Sequence, residues 1–423
     1  MASTNQELKN ILSTQQDVSP TEYNGIDGKN NKFISPVPGA MTYVREQNVC
    51  YNLSPVNAIT SGLFSNSVPL QFRISPGFCS EIQLIMINLT CIESGGTNSV
   101  TPICVPYLFD QIQLCFNGAS NPVVTIFADE LYANFQLWTS EQIANLLAFN
   151  QQNMTPATFG NETPIPAGGT AFYSIPLLSV LNGINPQTLS SDIVINVIMR
   201  QNPVASGTGI LQLTDMQLRV LTSRNAPSVD NKIVMDYSMN MACLPYTFAQ
   251  QSTSTITLSP GILTEIPLNG INGLCSTMFI MIRSSKSTTN AGIRLFSIIS
   301  GTDPFESTGM INLVDQSKQP LLGSGALFGK DFRGRNSAFY TPSLFSSVVP
   351  VYFYYFPQNP VNSIINGTNN GFNYFNGTQF LQLTPGPTFT AGTYTVDVYF
   401  KIYACLQQIK GVITRSMYLF INY

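Results

Sequence analysis

The sequence predicts an all-β protein built from two similar domains in tandem, preceded by a short N-terminal arm. Beyond residue 40 the chain consists mainly of short apolar runs separated by turn residues, which is typical of β-strands. A polar, proline-containing segment divides these runs into two series of similar length. The two series also share short sequence matches at a near-constant offset, which indicates duplication.

The first series contains seven strand-like runs. In the last run Met216, Leu218 and Val220 alternate with polar residues, which is the period of a half-buried strand. The seven runs are 68–74, 81–92, 111–116, 123–127, 171–178, 192–200 and 210–221.

The second series also contains seven runs. In the last of them Val396, Val398, Phe400 and Ile402 face one side of the predicted strand. Residues 351–356 are apolar on both faces, which favours a strand buried between a sheet and a neighbouring domain over a stacking platform for bases. The runs are 254–258, 276–283, 294–299, 310–314, 348–356, 378–383 and 394–402.

Helix is scarce, and its clearest candidate is 129–149, between the fourth and fifth strands of the first series. Leu131, Phe135 and Trp138 form one apolar stripe, and Ser140 is suited to cap a second helical segment. The sequence therefore predicts one helical insertion in an otherwise all-β chain.

The domain prediction rests on the linker and on the sequence matches. Gly77-Phe78-Cys79-Ser80 is matched 196 positions later by Gly273-Leu274-Cys275-Ser276. Ile112-Gln113-Leu114 is matched 199 positions later by Ile311-Asn312-Leu313. A near-constant offset is what a tandem repeat of domains predicts. We expect an arm at 1–40, a first domain at 41–224, a linker at 225–232 and a second domain at 233–423.

The composition argues against catalysis and against nucleic-acid binding. Only 10% of the 423 residues are charged, against about 25% in ordinary soluble domains, and the chain has no histidine. The absence of histidine removes the usual general base and every histidine metal site. A net charge of −3 gives no electrostatic reason to bind nucleic acid. We therefore expect a structural protein and not an enzyme.

Two groups of residues are candidates for a catalytic or a phosphate-binding site, and neither has the required pattern. Asp129 and Glu130 are adjacent, so on a helix they point in different directions, and a favourable interaction with the helix dipole explains them better than catalysis. The glycine-rich run 323–330 lacks the phosphate-loop spacing, since Ser324 and Asp331 stand where glycine and Ser/Thr are required. We predict no catalytic residue, no cofactor site and no metal site.

The densest basic group is Lys330, Arg333 and Arg335, followed by Phe339 and Tyr340. A nucleic-acid site requires more positive charge beside its aromatic side chains. A solvated loop or a subunit contact is the favoured interpretation of this group.

The cysteines are expected to be reduced, since disulfides are rare in proteins made and folded in a cytosol. None of the eight belongs to a C-x-x-C pair, and most lie in apolar runs, so we expect reduced thiols in the core. The N-terminus has no secretory signal pattern, and no apolar run approaches the ~18 residues of a transmembrane helix. The cysteines are at positions 50, 79, 91, 104, 115, 243, 275 and 405.

The N-terminal arm and the long loops are the segments best suited to contact partners. The arm at 1–40 is polar and balanced in charge, and it is compatible either with a flexible tail or with a tail that orders on assembly. Long irregular stretches at 151–169 and 357–377 interrupt the two strand series, and loops of this length are usually functional.

The two strand series, the Gly-x-Cys-Ser match, the inserted helix and the Asn/Gly/Pro-rich loops resemble the double jelly-roll major capsid proteins. This family includes the adenovirus hexon and coat proteins of tailless icosahedral viruses with an internal membrane. The resemblance covers 41–423 and rests on architecture, since the family has no short signature motif.

The resemblance implies an all-β fold of two tandem eight-stranded antiparallel jelly rolls. It implies a major capsid subunit that forms homotrimers. These homotrimers are pseudo-hexagonal capsomers, and the capsomers build an icosahedral virus shell. The implied partners are other copies of the chain together with penton and minor capsid proteins, with no sequence-specific nucleic acid. Whether an internal membrane lies beneath the shell is left open, since the arm lacks the basic cluster that would anchor it to anionic lipid. The implied location is the virion, after synthesis in the host cytoplasm. Loops 151–169, 284–292 and 357–377 are then candidates for outer or intersubunit surface.

Two alternatives share parts of this pattern. A receptor- or glycan-binding β-sandwich, such as a viral spike or an adhesin, would have the same polar loops without requiring duplicated halves. An enzyme on a jelly-roll scaffold is disfavoured by the missing histidine and the few carboxylates.

Overall fold

The computed structural model describes a chain dominated by antiparallel strands. Within the described residues it has twenty strands, two α-helices and two short 3₁₀ helices. No helix in these ranges is both long enough and apolar enough to cross a membrane. The described residues are 45–59, 68–96, 98–100, 102–116, 121–135, 163–177, 181, 184–200, 206–207, 210–225, 227–239, 242–283, 305, 308–322, 325–329, 351–356, 373–375 and 378–417.

The first half forms two four-stranded sheets and one small sheet. Its helices are α1 (Ala128–Phe135) and the 3₁₀ turns Pro102–Leu108 and Pro186–Thr188. Its strands are β1 (Arg45–Leu53), β2 (Leu70–Ile74), β3 (Glu81–Ser94), β4 (Asn98–Val100), β5 (Phe109–Cys115), β6 (Val124–Phe127), β7 (Thr163–Ile165), β8 (Thr170–Leu177), β9 (Ile193–Met199), β10 (Ser206–Gly207) and β11 (Ile210–Asn225).

The sheet orders of the first half are β1-β11-β3-β8, β2-β9-β5-β6 and β10-β4-β7. Without the short strands of the third sheet, eight strands remain. The first pairs with the eighth, the second with the seventh, the third with the sixth and the fourth with the fifth. Two antiparallel sheets with these Greek-key connections form a jelly roll, which leaves few exposed strand edges.

The second half begins with helix α2 (Pro227–Met239) and repeats this order. Its main sheet is β12-β19-β14-β16, with β17 added to β14 and β20 added to β19. Its other sheet is β13-β18-β15, which Leu327 and Pro320 extend through bridges to Ile311 and Val314. The strands are β12 (Ala242–Leu258), β13 (Thr264–Leu268), β14 (Gly273–Arg283), β15 (Met310–Val314), β16 (Tyr352–Tyr355), β17 (Asn373–Phe375), β18 (Gln379–Thr384), β19 (Gly392–Ile409) and β20 (Val412–Met417).

The predicted fold class of two tandem jelly rolls is therefore confirmed. The two main sheets have matching strand orders. Strand β1 corresponds to β12, β11 to β19, β3 to β14 and β8 to β16. The first Gly-x-Cys-Ser copy, Gly77–Ser80, immediately precedes β3, and the second copy, Gly273–Ser276, opens the equivalent strand β14.

The pairing registers align the two halves more closely than the sequence match does. In the β3–β11 pair Leu84 faces Leu221 and Ile82 faces Thr222, so Gln83 is an extra, bulged residue. In the β14–β19 pair the corresponding bulge is at Ser276. The two bulges are 193 positions apart, so the sequence match at 196 is three residues out of register.

The core lies between the two sheets of each half. In β18 every second residue is buried, and in the middle of β3 Ile85, Ile87 and Leu89 point inward. Strand β16 is different, because Val351, Tyr352, Phe353 and Tyr354 are all buried, as the sequence predicted for a strand covered on both sides.

Several boundaries differ from the sequence predictions. The predicted linker 225–232 contains the end of β11 and the first turns of α2, so the connection between the halves is largely helical. Helix α1 covers the start of the predicted helix 129–149, whereas Trp138 and Ser140 lie outside the described residues. The predicted strand 294–299, the arm at 1–40 and most of loops 151–169, 284–292 and 357–377 also lie outside them. The domain boundaries remain a prediction.

Candidate functional site: the junction between the two halves

The junction between the halves is the best-defined polar site of the described chain. The second half contributes one long hairpin, in which β19 and β20 are joined by a two-residue turn. The first half contributes the end of β6, the start of α1 and the segment around Pro186–Thr188. We call this region the junction.

Two carboxylates at the start of α1 bind two residues of β19. Tyr399 donates a hydrogen bond from its hydroxyl to Asp129 Oδ2, and Lys401 Nζ forms an ion pair with Glu130 Oε1. Residues two apart on a strand point to the same face, so adjacent carboxylates on the helix meet both partners. The expected placement of Asp129 and Glu130 in the first helical turn is confirmed, and the structure adds their partners in the other half.

The ion pair at the junction is largely removed from water. The exposed fractions of the Lys401 and Glu130 side chains are 16% and 10%. Removal of one partner would leave a charge in a poorly solvated place, which is far costlier than loss of a surface pair.

Aromatic packing surrounds these polar contacts. The Tyr399 ring stacks on Phe279 of β14 with centroids 4.6 Å apart and planes 10° apart. Phe127, at the end of β6, contacts the same ring at 5.7 Å. On the other side Phe279 lies 5.7 Å from Phe353. Tyr399 and Phe279 are both 1% exposed, so the outer face of the second main sheet is buried here.

The β19–β20 turn docks on the first half through backbone contacts. Lys410 and Gly411 both have positive φ, as a tight hairpin turn requires. Ser190 donates two hydrogen bonds to the Gly411 carbonyl, from its amide at 3.0 Å and from its hydroxyl at 3.1 Å. A Cβ at Gly411 would lie 2.9 Å from Ser190 N, so only glycine fits between the halves.

Buried Gln408 gives the hairpin a further anchor. Its Nε2 atom donates to the Thr188 carbonyl at 2.9 Å and to the Thr188 hydroxyl at 2.8 Å. Nearby, Arg415 Nη1 donates to the Val123 carbonyl at 3.2 Å. Because buried polar groups need partners, these bonds specify one docking position for the hairpin.

A second buried polar cluster holds α2 to the first half. Asp230, in the first turn of α2, accepts from Ser80 Oγ at 2.6 Å, from Gln187 Nε2 at 2.8 Å and from Asn225 Nδ2 at 3.2 Å. A carboxylate with three donors at a helix N-terminus is well stabilised. The connection between the halves is thus fixed to the first jelly roll before it enters the second.

The residues singled out for chemistry have structural environments where the structure describes them. Gly325 has φ +87°, Leu327 pairs with Ile311, and Gly329 donates to the Phe305 carbonyl, so this part of the glycine-rich run extends a sheet. Lys330, Arg333, Arg335, Phe339 and Tyr340 lie outside the described residues. No cluster of metal-ligating side chains occurs within the described ranges.

Most of the described cysteines are buried thiols. Cys79, Cys91, Cys115, Cys275 and Cys405 are buried and free, whereas Cys50 is free and exposed. Burial raises the pKa of Cys79 and of Cys91 from the usual 9.0 to about 12. These two thiols are therefore neutral and unreactive at pH 7, as expected of core residues. The Cys104 and Cys243 side chains are outside the description.

Comparison with known proteins identifies the architecture. No family model matches the chain, and no curated protein matches it. Among solved structures, PBCV-1 VP54, fitted into a reconstruction of the virophage Sputnik, has a TM-score of 0.60 at 11% identity over 88% of this chain and 97% of that one. The chain has the fold of double jelly-roll capsid proteins.

Two further double jelly-roll structures agree with this identification of the fold. The structure of the Sputnik virophage gives a TM-score of 0.56 at 11% identity, over 88% of this chain and 89% of that one. The Faustovirus major capsid protein gives 0.53 at 9% identity, over 87% and 90%. In each case the similarity extends over both jelly rolls and not over one half alone.

Sequence reasoning missed the junction. Asp129 and Glu130 are predicted to lie at a helix N-terminus, but Tyr399 and Lys401 lie about 270 positions away, and no local pattern links them to the helix. One signal was present, because β19 alternates an apolar face with Asp397, Tyr399 and Lys401, and Tyr399 is unusual for a solvated face.

Proposed function

We propose that this chain is the major capsid protein of an icosahedral virus, forming homotrimers that serve as pseudo-hexagonal capsomers. The observation that carries the proposal is the repetition of one strand order in two jelly rolls held together at the junction. Three chains then supply six similar domains, which is the number needed for a six-sided building block. The similarity in fold to PBCV-1 VP54 and to the Faustovirus major capsid protein supports the same role.

The junction has the properties that such a building block requires. A capsomer transmits contact forces between neighbours, so the angle between its two domains has to be reproducible. The Glu130–Lys401 ion pair, the Gln408 anchor and the tightly fitted Gly411 each define that angle by a specific contact. Buried polar contacts of this kind give specificity of geometry more than net stability.

The proposal includes partners and a location. The chain assembles with copies of itself, and with penton and minor capsid proteins, in a virion. It is made in the host cytoplasm, which agrees with buried, reduced Cys79 and Cys91. Its role is structural, without catalysis or sequence-specific recognition of nucleic acid.

The test is the mass and shape of the purified full-length chain. One chain is 46.3 kDa, so a homotrimer has a mass of about 139 kDa by native mass spectrometry or light scattering. Negative-stain images of that species should show six-sided particles. A chain that stays monomeric at every concentration and ionic strength tested would contradict the proposal.

A further inference from the structure

Exposed apolar side chains gather at the end of the molecule where α2 and the β19–β20 hairpin meet the first half. Val234 and Met235 of α2 are 36% and 62% exposed. Ile409 and Val412, which face each other across the β19–β20 turn, are 48% and 41% exposed. Single exposed apolar residues are ordinary, whereas a group of them marks a surface that binds a partner. We call these four residues the α2–hairpin patch.

The two elements of the α2–hairpin patch are held side by side by one short segment of the first half. Gln187 donates to Asp230, in the first turn of α2, at 2.8 Å. Ser190 donates to the Gly411 carbonyl, in the hairpin turn, at 3.0 Å. Three residue steps span at most about 11 Å, so the start of α2 and the tip of the hairpin are close neighbours. Helix α2 also packs against β19.

Helix α2 directs its apolar residues both inward and outward. Asp230 and Ile233 are buried and lie on one side of the helix. Since an α-helix has 3.6 residues per turn, Val234 borders this buried side and Met235 lies beyond it. This position explains why the exposed fraction is larger for Met235 than for Val234. A polar residue at position 235 would suit water better, so the apolar side chain favours a binding surface.

The N-terminal part of the chain begins beside this patch. Strand β1 starts at Arg45, whose partner in the register is Asn225, the last residue of β11. Asn225 Nδ2 in turn donates to Asp230 Oδ1 at 3.2 Å. The residues that precede Arg45 therefore continue from a point next to the first turn of α2.

One stretch of this N-terminal part is both apolar and within reach of the patch. Residues 33–37 include Phe33, Ile34 and Val37, and a proline stands on each side of Val37. They precede Arg45 by 8 to 12 positions, and at about 3.3 Å per extended residue their reach is roughly 26–40 Å. Helix α2 has 13 residues and is about 20 Å long, so the patch lies within this distance. The prolines reduce the conformational freedom that the stretch loses when it binds.

We propose that residues 33–37 bind the α2–hairpin patch of their own chain. The bound stretch then runs from the first half, to which it is attached through β1, to the hairpin of the second half. It adds an apolar contact to the polar contacts of the junction. Binding within one chain over a short connection has an effective concentration in the millimolar range, so other copies at micromolar concentration compete poorly. The inference goes beyond the proposed function, because it requires no assembly.

Limited trypsin digestion of the full-length chain tests the inference. Lys32 adjoins the bound stretch, whereas Lys9 lies far from it in sequence. Each cleavage rate, measured by mass spectrometry, is divided by the rate in a synthetic peptide of residues 1–44. The normalised rate should be at least about tenfold lower after Lys32 than after Lys9. Ile409→Asp should raise the rate after Lys32 at least about fivefold. Ile262→Asp is the matched control, because Ile262 is 59% exposed in the β12–β13 turn, and it should change this rate less than about twofold.

Circular dichroism checks that the variants fold, and Met235→Asp replaces Ile409→Asp if that variant unfolds. Slow cleavage after Lys32 that persists in the monomer, obtained by refolding at low concentration, supports binding within the chain. Equal normalised rates after Lys32 and Lys9 would show that residues 33–37 are not bound and would overturn the inference. Protection that the monomer lacks would also overturn it, because the stretch then binds another copy, and so would protection that Ile262→Asp removes as strongly. These outcomes leave the proposed function intact, since the mass of the assembled chain tests it separately.

Discussion

Replacement of Lys401 by methionine tests whether the ion pair at the junction couples the two halves. The side chains of Lys401 and Glu130 are 16% and 10% exposed, so the substitution leaves a carboxylate largely excluded from water without its counter-ion. Breaking a buried pair costs about 3–5 kcal/mol, and the remaining exposure lowers the expected cost to about 3 kcal/mol. Glu130→Gln should destabilise the chain for the reciprocal reason.

The double variant distinguishes coupling from a simple loss of packing. With both charges removed, no charge is left buried, so the double variant should cost about 2 kcal/mol less than the sum of the two single variants. Lys318 and Glu265 form an ion pair of the same type, but their side chains are 49% and 33% exposed. The same cycle on this pair should give a coupling energy of about 0–1 kcal/mol.

Urea unfolding followed by circular dichroism measures both cycles. With a slope of about 3 kcal/mol per molar urea, Lys401→Met should lower the midpoint by about 1 M. If the Glu130–Lys401 cycle gives a coupling energy no larger than that of the exposed pair, the ion pair does not hold the halves together, and our account of the junction is wrong.

Three further predictions concern single positions. Gly411→Ala should cost about 3 kcal/mol, because the Cβ would meet Ser190 N at 2.9 Å, whereas Gly95→Ala, with a similar φ and open space, should cost about 1 kcal/mol in urea unfolding. Tyr399→Phe removes a donor to a buried carboxylate and should cost about 2 kcal/mol, against about 1 kcal/mol for Tyr394→Phe, whose hydroxyl donates only to a carbonyl. The Cys91 thiol should make the free energy of unfolding fall at high pH. Burial raises the pKa of this thiol in the folded chain to about 12 from the usual 9.0. Between these two values the folded chain keeps a proton that the unfolded chain loses. This contribution is complete below pH 9 and declines by about 1.4 kcal/mol per pH unit up to pH 12, and Cys91→Ala should remove that slope from unfolding curves measured at pH 9–11.

The strands whose bounds the sequence predicted best are mostly those whose two faces differ in polarity. Strands β5, β9, β11, β15 and β18 were found within a few residues because alternation is a local signal. Strand β1 was missed, since its sequence REQNVCYNL is mostly polar and it forms the edge of its sheet. The first part of β12 was missed as well, because it contains a proline and a run of polar residues. For these strands, pairing with a long neighbour decides the conformation more than their own residues do.

The junction could not be predicted from local patterns because its contacts join distant parts of the chain. Asp129 and Glu130 are intelligible alone as helix N-terminal residues, and Lys401 is intelligible alone as a solvated strand residue. Only the packing of one jelly roll on the other turns them into buried partners. The helix that replaces the predicted linker has a similar origin, since Asp230 finds its donors on Ser80 and Gln187 of the first half.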